Sequence, residues 1–576
     1  MDTHENVGVA VGDHLLDLGI GKGNKVEVVK AGSNLLRGTI EQGLVGETPT
    51  LSENDVQLLK FHGSYQQEDR DKRKERRADG DTKAYQFMVR TRVPGGILTS
   101  GQYLAEDTLA EKYGNHTLRV TTRQGFQLHG ILKGDLRAAI AEINAVELTT
   151  LAACGDVNRN VMTCPAVPKT PAEQQIQDTA DKIARHLAPR TSAYHEIWID
   201  GERIHDAAES EPIYGPSYLP RKFKVGVARP DDNCVDIFTQ DIGLVADVEG
   251  DDLTGFTVLV GGGMGMTHGK KETYSRLATP LCFVPPSQVL PIVEAIVTAY
   301  RDWGDRTNRK HARLKYLVEE RGIGFMRSEV QARSGLLLRA PRQVLLDHVD
   351  DHLGWQQQAD DRWSLGLYVE NGRIKDGERM QLRTALRDAV SRLHLGVRLT
   401  GQQNVLLTDL ARDDIPILTW LLESRGVTVD PAKLGTRRDA MACPALPTCG
   451  LALTDAERIL PAIVDDIAAE LQHLGIGDRR MSIRMTGCPN GCARPYMGDI
   501  GFVGRSKYLY DIFLGGDMSN TRLNSLFVPA VRLAELTATI APLLRRWRDE
   551  GHVAEGFGDF CHRLGKDALL PAEIAS

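Results

Sequence analysis

LRVTTRQGFQLHGIL (residues 118–132) and VRLTGQQNVLLTDLA (397–411) are one segment written twice. At a constant offset of 279 residues, Arg119 falls on Arg398, Thr121 on Thr400 and Gln124 on Gln403. The register runs on to MTCPAVP (162–168) over MACPALP (441–447), with Cys164 on Cys443 and Arg159 on Arg438. One offset held without an insertion over about 50 residues marks a duplicated chain. Each copy reads as strand, helix, strand, strand, helix. In the first, YQFMVRTRV is a strand and SGQYLAEDTLAEKY a helix, LRVTT and FQLHGIL are strands about a turn at Gly125, and DLRAAIAEINAV is a helix. RWSLGLYVE, RMQLRTALRDAVSRLH, GVRLT, NVLLTDL and IPILTWLLESR repeat that order. A longer α/β segment follows each copy: helix 172–187 leads to strand HEIWID, and helix 454–474 to strand MSIRMT. The expected architecture is α+β, internally duplicated and pseudo-twofold, with paired half-units that share a sheet. An interface between the halves could hold a large cofactor.

The copies diverge where chemistry is expected. Cys443, Cys449, Cys488 and Cys492 lie in CPALPTC and CPNGC, a C-x5-C arm and a C-x3-C arm separated by 38 residues. Thr170 occupies the place of Cys449 in the first copy, so only the C-terminal half can gather four thiolates. Four thiolates suit a cubane iron-sulfur cluster. Structural zinc usually takes cysteines in pairs two to four residues apart, which the first arm does not offer. Disulfides fit least, with nine cysteines in 576 residues and an acidic N-terminus that lacks a secretory signal. Cys164 then reads as a leftover core thiol, and Cys154, Cys234, Cys282 and Cys561 as packing thiols.

The N-terminal half keeps bases instead. Arg90 and Arg92 in VRTRVPGG are two apart and so share one face of a strand, and Lys222 and Lys224 in PRKFK repeat the spacing. Arg159 precedes the duplicated CPA turn, and Arg119 and Arg123 are expected within another strand. Any one of these reads as a solvated base; together they form an anion-binding set, since guanidinium forks and ammonium heads suit carboxylates and small oxyanions.

The bulk properties are those of a large cytoplasmic enzyme: 41% hydrophobic, 26% charged, net charge −7, and no apolar run of membrane length. Neither a nucleic-acid nor a membrane partner is expected. The mixed-sign run QEDRDKRKERRADGD (67–81) reads as a solvated surface. GGGMGM (261–266) lacks the last glycine of a dinucleotide motif and THGKKE fails the phosphate-loop pattern, so neither is read as a nucleotide site. A glycine turn that lets backbone approach a cofactor fits better.

TGCPNGCARP and CPALPTC, taken with VRTRVPGG, TTRQGFQLHGIL, NRNVMTCP, YLPRKFK, VLVGGGMG, RDWGDRT and EGFGDF, resemble the sirohaem and [4Fe-4S] sulfite and nitrite reductases, above all the haemoprotein (beta) subunits of the assimilatory NADPH-dependent branch. The likeness runs from about residue 34 to about 565. It implies ferredoxin-like half-units at 81–151 and 346–429, a first sirohaem-binding α/β domain with the substrate lysines at 152–345, and a second, carrying the cluster cysteines, at 430–576. Residues 1–80 become an N-terminal arm for partner docking or a disordered extension. Cys443, Cys449, Cys488 and Cys492 match the cluster ligands, and Cys492 the thiolate that also ligates the sirohaem iron. Arg90, Arg159, Lys222 and Lys224 match the bases around the substrate. Arg119, Arg123, Gln127, His129, Arg221 and Arg306 resemble positions that hold the macrocycle's carboxylates. The implied activity is six-electron reduction of sulfite to sulfide; nitrite is the rival substrate, disfavoured because nitrite-reducing relatives tend to carry asparagine at the position of Lys224. A non-catalytic iron-sulfur carrier is the alternative of another class. With no flavin or NADPH module in this chain, electrons must come from a partner, and the resemblance favours a flavoprotein (alpha) subunit using NADPH over ferredoxin.

Overall fold

The computed structural model describes residues 23–191, 193, 198–199, 202–203 and 211–570. Four five-stranded sheets carry the duplication. The first runs Ser64–Glu68, Tyr85–Arg90, Phe126–Ile131, Leu118–Val120, Arg373–Ile374; the second runs Gly354–Gln357, Trp363–Leu367, Val405–Leu410, Gly396–Leu399, Ile97–Leu98. The last strand of each belongs to the other half. Arg373 and Ile374 pair with Arg119 and Leu118, while Ile97 and Leu98 pair with Arg398 and Val397. The half-units therefore share sheets, as the sequence led one to expect, but through two sheets rather than one: each lends an edge strand to the other's. Local chemistry explains the trade. Short turns at Pro94–Gly96 and Glu370–Gly372 contain left-handed residues, and they bring Gly96 and Gly372 so near Leu399 O and Val120 O that a Cβ would sit 2.5 and 2.3 Å away. Only glycine permits that approach.

Gln124 and Gln403, left-handed at φ 50° and 71°, seal the exchange. The Gln124 side-chain amide donates to Leu399 O at 3.0 Å, and that of Gln403 to Val120 O at 3.4 Å. Leu399 and Val120 are themselves 279 residues apart, so the pair is reciprocal across the pseudo-twofold. One apolar core, including Val120, Phe126 and Leu128 with Leu365, Leu399 and Val405, fills both half-units.

The α/β domains repeat each other as well. In strand order, Met162–Thr163, Val225–Ala228, Ile242–Glu249, Asp252–Val260, Thr279–Val284 matches Ala440–Ala442, Ile483–Thr486, Ile500–Ser506, Leu509–Leu514, Ser525–Arg532. In both, the first two pairings are parallel and the last two antiparallel. Helices Pro171–His186 and Val289–Trp303 close the first core, and Leu460–His473 and Leu536–Glu550 the second. The difference at Thr170 has a structural meaning. Its side chain accepts the Glu173 N–H and caps helix Pro171–His186. In the second copy helix Leu460–His473 starts later, which leaves the Cys449 turn free for another use.

Much of the segment read as an arm is built into the body. Strand Ser64–Glu68 edges the first sheet, and the buried Lys30 ammonium donates to Leu219 O at 2.7 Å and pairs with Glu27 and Asp156 at 2.6 and 3.6 Å. Residues 1–22 lie outside the described residues. Of HEIWID, only Trp198 and Ile199 lie within them, paired with Arg203 and Glu202. The mixed-charge run includes the solvated helix Arg73–Ala78, as expected. Among the described residues, no helix is long and apolar enough to cross a membrane.

Candidate cofactor and anion site

The four C-terminal cysteines come from two loops at the ends of parallel strands. Cys443 follows Ala440–Ala442, Cys488 and Cys492 follow Ile483–Thr486, and Cys449 N–H donates to Ala445 O at 2.9 Å in the turn between them. Donors aim at the sulfurs: Gly487 N–H reaches Cys443 Sγ and Asn490 Nδ2 reaches Cys488 Sγ, each at 3.4 Å. Burial, reinforced by Cys492, pushes the Cys443, Cys449 and Cys488 thiols up, Cys488 to about 12. Thiols gathered so that each would raise the others' pKa are favoured as thiolates only beside a cationic centre.

Cys492 is the exposed member. It interacts with its three companions and also with Arg159 and Lys222. Those two bases sit on adjoining segments. Arg159 N–H donates to Phe223 O at 3.0 Å and Phe223 N–H to Val157 O at 3.1 Å, so 157–159 and 222–224 run side by side. Phe223 turns into the core against Tyr300, which leaves Lys222 and Lys224 together on the other face, as their spacing predicts. Burial and the charges of Arg159, Arg221 and Arg313 lower Lys222 to about 7; burial, then Lys222, Arg123 and Arg313, lower Lys224 well below the ordinary lysine value. Burial alone would lower Arg159, but Tyr65, Cys154, Asp156 and Cys492 raise it.

Arg90 joins this group through Cys154, whose sulfur accepts from Nη1 at 2.6 Å. Cys154 is therefore no mere packing thiol. It also acts on Tyr65, whose hydroxyl burial and Cys154 push up to about 12. Arg92 departs from its expected place beside Arg90. The strand ends at Arg90, and the Arg92 guanidinium is buried against Ala184 O.

The residues matched to macrocycle carboxylates divide. Arg123 lies on the loop beside Cys492, where Thr122 Oγ1 donates to Cys492 O at 3.0 Å; its guanidinium donates to Gln240 Oε1 and Val225 O, both at 2.8 Å, and burial lowers it to about 9. Arg221 keeps a 3.5 Å ion pair with Asp156. His129 is buried without a hydrogen-bond partner, and burial with Arg373, Arg119 and Arg90 holds it neutral. Arg119 is committed to Glu457 at 3.1 Å, Ala442 O at 2.9 Å and Gln127 Oε1 at 3.4 Å, which also occupies Gln127. Arg306 is committed to Glu27 at 2.5 Å and to the Tyr218 and Arg301 carbonyls at 2.7 and 2.9 Å. The structure thus gives Arg306 a tethering place.

Sequence reasoning passed over Lys60, Arg309, Arg313 and Lys315. Arg309, three residues beyond Arg306, pairs with Asp156 at 2.7 and 3.0 Å. Arg313 binds Asp241 at 2.8 Å, and Lys315 donates to Gly265 O at 2.8 Å with its pKa lowered to about 6 by burial and Arg313. The i, i+2 spacing that singled out Lys222 and Lys224 recurs in these two. Burial and Arg309 lower Lys60 to about 8. The glycine run 261–266 reaches the cysteine loop, where Met266 N–H donates to Pro489 O at 2.9 Å.

The donor set fits a polyanionic macrocycle beside a thiolate-bound cluster. Arg90 Nε, Arg123 Nε, Arg159 Nε, both His129 ring nitrogens and the Asn158 amide are buried without partners. The three guanidinium nitrogens, Asn158 Nδ2 and the single N–H of neutral His129 are donors, and buried donors left unpaired in this number call for an anionic occupant.

Comparison with known proteins agrees with this geometry. "Nitrite and sulphite reductase 4Fe-4S domain" matches residues 178–337 and 435–570, and "Nitrite/Sulfite reductase ferredoxin-like half domain" matches 79–146 and 356–423. The chain is 45% identical over 545 residues to the sulfite reductase [NADPH] hemoprotein beta-component of Staphylococcus epidermidis, covering 94% of this chain and 95% of that protein. It is 46% identical over 568 residues to the sulfite reductase [ferredoxin] of Synechococcus elongatus, covering 95% and 90%. The fold matches the Mycobacterium tuberculosis NirA protein with a TM-score of 0.77 at 21% identity, over 96% of this chain and 99% of that one. Duplicated half-units, four cysteines on paired loops and the matched domains together place this chain in the nitrite and sulfite reductase family.

Proposed function

We propose that this protein is the haemoprotein subunit of an assimilatory sulfite reductase, reducing sulfite to hydrogen sulfide. The observation that carries this reading is the position of Cys492, in electrostatic contact with three thiols and with the Arg159 and Lys222 bases. Cys443, Cys449, Cys488 and Cys492 would hold a [4Fe-4S] cluster, with Cys492 also reaching a sirohaem whose carboxylates Arg123, Arg221 and the unpaired His129 and Asn158 groups would meet. When bound, these groups would supply a low-potential route for single electrons to an iron that binds sulfur.

The chain's own residues do the rest. Sulfur passes from +4 to −2, so six electrons, the protons for three waters and those carried by the released hydrogen sulfide must arrive at one place. Arg90 and Arg159, with their planar guanidinium forks, bind and orient the oxyanion. Lys222 and Lys224, with lowered pKa, can release a proton to each departing oxygen and are our proton donors. The electron donor we assign is an NADPH-using flavoprotein (alpha) subunit, as the name of the Staphylococcus relative suggests; the Synechococcus name makes ferredoxin the second reading. Nine unbridged cysteines suit a reducing cytoplasm.

Purified protein should show sirohaem bands in the visible spectrum and turn over sulfite with a chemical reductant. Cys492→Ser should lose both pigment and sulfide output. An intact pigment with undiminished sulfide formation in that variant would refute the proposal. Paired assays with an NADPH-flavoprotein and with reduced ferredoxin separate the donors.

A further inference from the structure

The turn that carries Cys443 in the second half carries Cys164 in the first, and Cys164 has partners of its own. Its sulfur lies 3.7 Å from His352 Nε2 and 3.8 Å from Asp232 Oδ2, and those two atoms are 3.8 Å apart. Cys234 completes the group, with one ligand atom from each residue within 4.8 Å of all the others. The four are buried, between 1% and 4% exposed. They come from three distant stretches: the CPA turn, the 232–234 loop, and the segment leading into the second half-unit.

We propose that Cys164, Cys234, Asp232 and His352 form a structural zinc site, distinct from the four-cysteine centre. Zinc bonds of about 2.0 to 2.3 Å make a tetrahedral edge of about 3.3 to 3.8 Å. An S–N or S–O edge of such a site is about 3.5 Å and an N–O edge about 3.3 Å, so the three distances, 3.7, 3.8 and 3.8 Å, exceed them by a few tenths of an ångström and close on an ion with small side-chain shifts. Two sulfurs, one imidazole and one carboxylate form a closed N/S/O set with no open position, as a structural site requires. The second shell is built to match. Asp350 stands 3.2 Å from His352 Nδ1, leaving Nε2 for the metal. Asp232 Oδ1 accepts the Cys234 and Asp350 N–H groups, each at 2.9 Å, which turns Oδ2 toward the sulfur and the imidazole.

Two other readings fit less well. Cys164, His352 and Asp350 form a chain like a nucleophile triad, but the sulfur is buried and Asp232 stands beside it where a substrate would have to enter. A Cys164–Cys234 disulfide would leave Asp232 and His352 converging on nothing. The consequence of a metal here is mechanical. The site pins the segment around 348–352 to the first α/β domain, alongside Asn233 N–H to His348 O at 3.1 Å and Gln402 Nε2 to Cys234 O at 2.8 Å. It fixes how the second half-unit leaves the first domain.

Holoenzyme expressed with zinc and purified without chelator should hold about one zinc per chain by mass spectrometry, beside the iron of its own cofactors. Zinc K-edge absorption should show two sulfur neighbours at about 2.3 Å and two lighter ones. Cys234→Ser should lose the zinc and melt lower while its iron content and visible spectrum stay unchanged. If that variant does not fold, the wild-type zinc content and absorption edge decide alone. Zinc below about a tenth of an equivalent per chain, a zinc edge without sulfur neighbours, or a Cys164–Cys234 disulfide in peptide mapping would each overturn the proposal.

Discussion

Lys222 is held near pKa 7 by burial among Arg159, Arg221 and Arg313, so it is an ammonium below that pH and an amine above it. A proton donor of this kind works on the acid side of its pKa. Sulfite turnover is therefore expected to fall as pH rises, with a descending limb well below the ordinary lysine range. Lys222→Met should abolish that limb and lower kcat by about a hundredfold or more. A retained limb would assign it to another group. Lys224 makes a separate prediction about selectivity. Lys224→Asn removes an ionisable amine while keeping a hydrogen-bonding side chain, so sulfite reduction should fall more than nitrite reduction, measured side by side with one chemical reductant. Equal losses with cofactor retained would contradict that assignment. Both lysines were legible from their spacing. Cys154 was not, because a cysteine in sequence carries no sign of whether it meets a methyl group or the Arg90 guanidinium.

Among the elements, the exchanged edge strands rest on two glutamines. Removing the Gln124 amide takes one buried donor from each of the Leu399 and Thr163 carbonyls, which should cost about 1–3 kcal/mol in denaturant unfolding. Gln403→Ala should cost less, since its bonds to Val120 O and Asn371 O are longer, at 3.4 and 3.3 Å. An equal or reversed order would show that the exchange does not depend on these amides. The repeat announced equivalent elements but not the trade between them. A two-residue strand has no periodicity to detect, and its direction is set by a turn whose tightness shows only against the partner backbone.

For the molecule as a whole, Arg494 ties the second α/β domain to both half-units at once. Its guanidinium donates to Gly401 O at 2.8 Å and to Thr122 O at 3.1 Å, positions related by the 279-residue repeat, and pairs with buried Asp236 in the first α/β domain. Breaking a buried charge pair costs about 3–5 kcal/mol. Arg494→Ala should lower the melting temperature and, because Thr122 also holds the Cys492 carbonyl, should lower sirohaem and iron content with it. A normal pigment in a destabilised protein would separate the tie from the site.

From the sequence alone came the duplication, the α+β class, the four C-terminal cysteines and the Lys222–Lys224 face. Each is a matter of spacing along the chain, and spacing survives without a fold. The tertiary structure decided which arginines are free. Arg119 and Arg306 resemble ligands in their motifs, but buried carboxylates from distant segments, Glu457 and Glu27, occupy them, whereas Arg90 and Arg159 keep donors to spare. A charge finds its partner through space, and no local pattern records which distant residue folding will bring beside it.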